Sequence, residues 1–208
     1  MTELYIEVNW RPDGIPSRDT IMDAAAAGWS SRQEESSLVL YNKADYNECV
    51  AFLKRIIAWK HTSVLEHIVF KFAVSVSVAC ASQITRHRIA SYTQKSFRVR
   101  RDFDKTAFLV PPQIDPMDCD EWLEDMFTHI KLYYKWLAYS NDVDVARYHL
   151  PQGLKTNLAI TINARSLRNM FEQRLTKYAS FEFQDVMRQI LRLIREQRLD
   201  FLFQDITG

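Results

Sequence analysis

Glycine is scarce: Gly14, Gly28, Gly153 and Gly208 are the only four among 208 residues. No GxGxxG and no Walker loop can be assembled from them, which excludes a Rossmann fingerprint and a P-loop. Any nucleotide must then be held mostly by side chains. Cysteine is nearly as sparse. Cys49, Cys80 and Cys119 are odd in number, widely spaced and without a CxxC. That argues against a disulfide framework or a thiolate zinc site and fits a reducing compartment. No HExxH and no GxSxG occurs, so neither catalytic zinc nor an elbow-type serine nucleophile has an actor. No apolar run approaches the ~20 residues of a membrane span. The opening MTELYIEVNWRPDG lacks a basic-then-apolar leader pattern, so a cytoplasmic location is expected, with no membrane partner. Excess charge is missing too. The net charge of +1 excludes a general polyanion binder, and an anion site must come from local arrangement.

What is present is a folded composition, 47% hydrophobic and 25% charged. LYIEV (4–8) reads as a short strand. SRDTIMDAAAAGW (17–29) reads as a helix with Ser17 as its cap. Residues 44–61 place Val50, Leu53, Ile56 and Ile57 at helical spacing. SVLE (63–66) has the form of a capping box. IVFKFAVSVSV (68–78) alternates apolar and polar residues as a half-buried strand does. A long helix is expected over 120–140, a second strand over 154–163, and helices over 164–175 and 182–198. There is no internal repeat or linker-like segment. The expected architecture is α+β: one helix-rich domain over 1–208 with a small, mainly antiparallel sheet.

The residues from 86 to 101, RHRIASYTQKSFRVRR, contain no acid. The spacing predicts a short helix over 80–88 with Gln83, Arg86 and His87 on one face. A loop with Ser91, Thr93, Gln94, Ser96 and Arg98 then follows. Hydroxyls, amides and guanidinium forks suit phosphate oxygens and a pyrimidine edge. The competing reading is a solvated basic surface, or a nucleic-acid-binding module; the near-neutral total charge weighs against the latter. In helix 164–175, Leu167, Met170, Phe171 and Leu175 form an apolar stripe, and Arg174 falls on it. A guanidinium there needs acceptors, either an internal carboxylate such as Glu182 or a ligand. Among His61, His67, His87, His129 and His149 no metal-ligand spacing appears, and His67 reads as a satisfied structural histidine. With no evident nucleophile, an enzyme of this sequence would rely on a cofactor for the hard step.

Arg86-His87-Arg88, seven residues, then Ser96 resembles the RHR-x7-S signature of flavin-dependent thymidylate synthases, the ThyX family. HTSVLEHIVFKF (61–72), ARYHLP (146–151) and INARSLRNMFEQR (162–174) resemble three further family segments, in the family's order. The resemblance implies an α/β homotetramer with active sites shared between subunits. It implies conversion of dUMP to dTMP, with methylenetetrahydrofolate as carbon donor and FAD reduced by NADPH as hydride source. For FAD it points to Ser63, Arg86, His87, Arg88, Gln94, Asn163, Arg165 and Asn169. For dUMP it points to Gln83, Arg86, Gln94, Ser96, Arg98 and Arg147. Arg174 matches the arginine that polarises the uracil, so it counts as both substrate-binding and catalytic; His61 and Glu66 match positions near the flavin. The chain departs from the pattern at Thr93-Gln94, where Asn-Glu is usual, at Phe97 and Val99, and at Phe183-Gln184, where Ile-Arg is usual. These changes leave room for a relative acting on another pyrimidine nucleotide, such as UMP, or making a hydroxymethyl product.

Overall fold

The computed structural model describes residues 6–99 and 102–206. Among the described residues, four strands form one sheet in the order β1-β2-β4-β3. β1 is Glu7–Trp10, later than the expected 4–8, of which Leu4 and Tyr5 lie outside the described residues. Arg100 and Arg101 of the acid-free run also lie outside them. β2 (Val69–Ser77) follows the alternation read from the sequence: Phe70, Phe72, Val74 and Val76 are buried. β4 (Lys155–Asn163) buries Thr156, Leu158, Ile160 and Ile162 in the same way. Ala164 N donates to Ile68 O at 2.8 Å and Val78 N to Leu154 O at 2.9 Å. Sequence positions that rise on one strand as they fall on the other make this pair antiparallel.

The chain divides into two compact units. The first holds Val74–Arg86 and Thr93–Leu158. Its long helix, α5 (Cys119–Ser140), buries Ile130, Tyr133 and Leu137. Phe108, Ile130 and Leu154 gather there with Trp122, Met126 and Phe127. α5 ends on Asn141 at φ 52°, the left-handed stop that asparagine tolerates. α4 (Val78–Ile84) is capped by Ser77, whose oxygen accepts from Cys80 N. α6 (Val143–Ala146) runs into a 3₁₀ turn, Arg147–His149, shortly before Pro151.

The second unit holds Val8–Ala73, His87–Tyr92 and the chain from Ala159 onward. α1 (Arg18–Ser30) starts at Ser17 as expected, with Ser17 Oγ accepting from Thr20 N. α2 (Ser37–Lys43) was not expected and buries only Leu40. α3 (Tyr46–Ala58) is capped by Asp45, which accepts from two backbone amides. Gly28 of α1 lets the Phe52 ring of α3 approach; a Cβ there would stand 2.7 Å from it. α7 (Ala164–Arg174) and α8 (Phe181–Glu196) match the expected helices. α8 turns Phe183, Val186, Met187, Ile190, Leu191 and Ile194 inward. No helix among the described residues is long and apolar enough to cross a membrane.

Three local expectations need correction. SVLE is not a capping box: Ser63 is the first residue of a 3₁₀ turn, Ser63–His67, whose cap position is Thr62. Glu66 is drawn away to an arginine. The helix over 80–88 ends at Ile84, where the Thr85 hydroxyl donates to the Ala81 carbonyl at 3.0 Å. Arg86 and His87 lie beyond it in a turn and do not share a helical face with Gln83. The segment expected as a loop is in part a strand, β3 (Ala90–Gln94), which carries Ser91, Thr93 and Gln94.

Candidate active site

In the first unit, a cavity of 580 Å³ is lined by Gln94, Ser96 and Arg147, with Lys95, Tyr148 and Gln152 beside them. β3 delivers Gln94 at its end, and the Gln94 amide donates to the buried Thr156 hydroxyl at 3.4 Å. Lys95 N extends the pairing to Asn157 O at 2.9 Å. Ser96 Oγ accepts from Arg98 N at 3.1 Å, a serine turn that fixes the chain just past the strand. Arg98 then pairs with Asp144 through Nη2 and Oδ2 at 2.6 Å. Arg147 brings Nε within 3.1 Å of the other oxygen, Oδ1. That second contact has the distance of an ion pair without the alignment of a hydrogen bond, so Oδ1 is buried with its charge met but no proton donated to it. Asp144 is held in turn because its amide donates to the Asp142 carboxylate at 2.7 Å. One carboxylate therefore gathers two arginines from distant parts of the sequence, and Asp144 was not singled out from sequence. Of the residues expected to bind dUMP, Gln94, Ser96 and Arg147 line this cavity and Arg98 adjoins it through Asp144. Gln83 and Arg86 do not line it.

In the second unit, α7 carries Arg174 in its last turn. Arg174 Nε donates to His87 Nε2 at 2.9 Å. The guanidinium carbon also stands 5.0 Å from the centre of the Phe183 ring. His87 meets the same ring edge-on at 5.6 Å and 90°. A ring nitrogen and an aromatic face hold this arginine. An accepting Nε2 carries no proton, so His87 is the neutral Nδ1–H tautomer. Burial, and then the neighbouring Arg174 charge, push its pKa below the usual histidine value. The His87 carbonyl accepts from the Tyr92 hydroxyl at 2.8 Å. Burial pushes that phenol up to about 12, so it stays a donor. The nearly enclosed guanidinium of α7 is a different one, Arg168, only 6% exposed. It donates to the Leu202 carbonyl and pairs with Asp205 at 2.6 Å. Asp205 lies 37 residues further along the chain, which left no local signal.

Two smaller cavities of the second unit hold three of the expected flavin positions, Asn163, Arg165 and Asn169. Arg165 and Asn169 line one of 390 Å³, with Lys60, Thr62, Glu172 and Asp205. Asn163, Glu66 and Ser91 line another of 360 Å³. Glu66 pairs with Arg165 at 2.6 Å. Asn163 also caps α7, its Oδ1 accepting from Ser166 N at 2.8 Å. Ser63, His61 and Arg88 are exposed. So is His67. No group of side chains among the described residues has the makings of a metal site.

Residues 15–198 match the family model described as thymidylate synthase complementing protein. The flavin-dependent thymidylate synthase of Pyrococcus abyssi is 33% identical over 170 residues, which is 79% of this chain and 70% of that protein. That of Pyrococcus horikoshii is 34% identical over 178 residues, 82% and 70% of the two chains. The crystal structure of the Helicobacter pylori flavin-dependent thymidylate synthase, complexed with FAD and dUMP, has the same fold, with a TM-score of 0.72. Its identity is 22%, over 97% of this chain and all of that one. By the extent of the model match and the identity to full-length relatives, the chain belongs to the flavin-dependent thymidylate synthase family.

Proposed function

We propose that the protein converts dUMP to dTMP, with methylenetetrahydrofolate as carbon donor, NADPH as reductant and FAD as cofactor. The family match from 15 to 198 runs through both units, and 1–208 is taken to act as one catalytic domain. The observation that carries the reading is the 580 Å³ cavity. It combines an amide, a hydroxyl and a guanidinium on Gln94, Ser96 and Arg147, the donor set a nucleoside monophosphate needs. In this reading Ser96, Arg98 and Arg147 hold the phosphate. The Gln94 amide meets the nucleoside and, unlike the family's carboxylate, adds no negative charge near a dianion. Arg174 lies along the uracil and stabilises the anion that develops when N3 loses its proton.

The chemistry of the 390 Å³ cavity fits FAD. Lys60 and Arg165 are cations suited to a pyrophosphate, while Glu172 can accept from a ribose hydroxyl. When bound, and once reduced by NADPH, FAD supplies the hydride. The chain's part is to hold the two phosphorylated ligands, orient the uracil and shield the reacting atoms from water. The active enzyme is proposed to be a homotetramer with shared active sites. It is placed in the cytoplasm, which three buried cysteines outside any disulfide suit. Purified protein reconstituted with FAD should be yellow, bleach with NADPH, and form dTMP from dUMP only when the folate is present. A colourless protein that takes up no FAD overturns the proposal.

A further inference from the structure

We infer that His87 and Phe183 are positioning residues for Arg174, fixing the plane and the outward edge of its guanidinium; this rests on the proposed role of Arg174 at the uracil. A guanidinium holds five N–H donors in one rigid plane. Here the Nε–H is spent on His87 Nε2 and one face of the plane is covered by Phe183. With one edge and one face fixed, the direction of the four remaining N–H groups follows. Among the described residues, no hydrogen bond from those Nη groups competes with a ligand. His87 is itself held. Its carbonyl accepts from Tyr92, its ring packs edge-on against Phe183, and it is only 9% exposed. Phe183 is fully buried, so the floor of the arrangement is packed into the core.

Two features make this more than packing. The interaction needs His87 to be an acceptor, whereas a histidine serving only as a phosphate donor would be most effective as the imidazolium. Phe183 also stands where the family resemblance has an aliphatic residue. Isoleucine would fill space but offer no π face to a cation. In this chain the orientation of Arg174 depends on an aromatic surface supplied by α8.

The test uses the FAD-loaded enzyme and measures flavin content, dUMP affinity by flavin absorbance, and kcat, in His87→Leu, His87→Gln and Phe183→Leu. The flavin-loaded fraction of His87→Leu should lose about tenfold in dUMP affinity or kcat, the scale of one oriented charged hydrogen bond. His87→Gln, which can still accept through its amide oxygen, should recover to within about threefold. Phe183→Leu should lose about fivefold. In an Arg174→Ala background, His87→Leu should cost no further dUMP affinity. The inference is overturned if His87→Leu costs as much without Arg174 as with it. It is also overturned if the glutamine variant is no better than leucine, or if His87 variants lose flavin while the flavin-loaded fraction binds dUMP normally. A wild-type enzyme that binds neither FAD nor dUMP would instead overturn the proposed function.

Discussion

Replacing Arg168 with methionine should lower the melting temperature by about 6 °C, and the figure follows from three contacts. The guanidinium is nearly enclosed and ties α7 to the 3₁₀ turn Asp200–Leu202. Removing it leaves the Leu202 carbonyl without its donor, a loss of about 1–3 kcal/mol for a buried acceptor. Asp205 is 49% exposed, so water screens most of its attraction, and its share is below about 1 kcal/mol. Methionine replaces much of the arginine's apolar stem and offsets part of the loss. The net is about 2 kcal/mol, and at this chain length each kcal/mol moves the midpoint by about 2–4 °C. The pH dependence gives an independent check. The hydrogen bond from Arg168, more than its charge, holds the Asp205 carboxyl below the usual range. A depressed acid stabilises above its unfolded pKa of about 4, and the contribution disappears as pH falls through the folded value. Asp205→Asn should therefore melt below wild type at pH 7 and draw closer to it progressively as pH falls below about 4. Circular dichroism melts at fixed flavin loading measure both effects. An Arg168→Met midpoint within about 1 °C of wild type would refute the reasoning, as would an Asp205→Asn gap that persists in acid.

Asp144→Ala frees Arg98 and Arg147 from their common partner and should weaken dUMP binding about fivefold with little change in kcat; tighter binding would mean that Asp144 competes with the phosphate instead of arranging its ligands. Gly14→Ala would put a Cβ 2.3 Å from the Lys71 carbonyl oxygen and 2.7 Å from that of Arg11. Both are backbone atoms, so the variant should lose more than about 2 kcal/mol in urea titration, and an unchanged midpoint would contradict the close approach. Because burial and Arg174 depress the His87 pKa, the unfolded chain takes up that proton at a pH where the folded one does not. Stability should fall as pH drops below about 6.5, and more shallowly in His87→Gln; parallel curves would refute the assignment.

The elements legible in the sequence were those with a period to read. β2 and β4 alternate cleanly, and α7 and α8 carry continuous apolar faces. β3 has no such period in ASYTQ, because it is a strand through its pairing partner and not through its own side chains. α2 was missed since one buried leucine makes no stripe. Within the site, Gln94, Ser96 and Arg147 were recognisable by resemblance, and the structure brings them to one cavity. Asp144 was not, because its meaning comes from Arg98, 46 residues away. The stripe of α7 drew attention to Arg174 as the buried cation. Arg168, beside Leu167, is the one that is closed off, and its acceptors lie near the chain's end.

The three cysteines give the protein a built-in clock. Cys49 is sealed in the second unit, while Cys80 and Cys119 are sealed in the first. Burial, above the nearby acids, raises the Cys49 thiol further out of its reactive range. A thiol reagent can modify these sulfurs only when the surrounding chain opens, so labelling rates report local opening without any engineered probe. Mass spectrometry of partly labelled chains would separate the two units: one shared rate means they open together, and two rates mean that each keeps its own time.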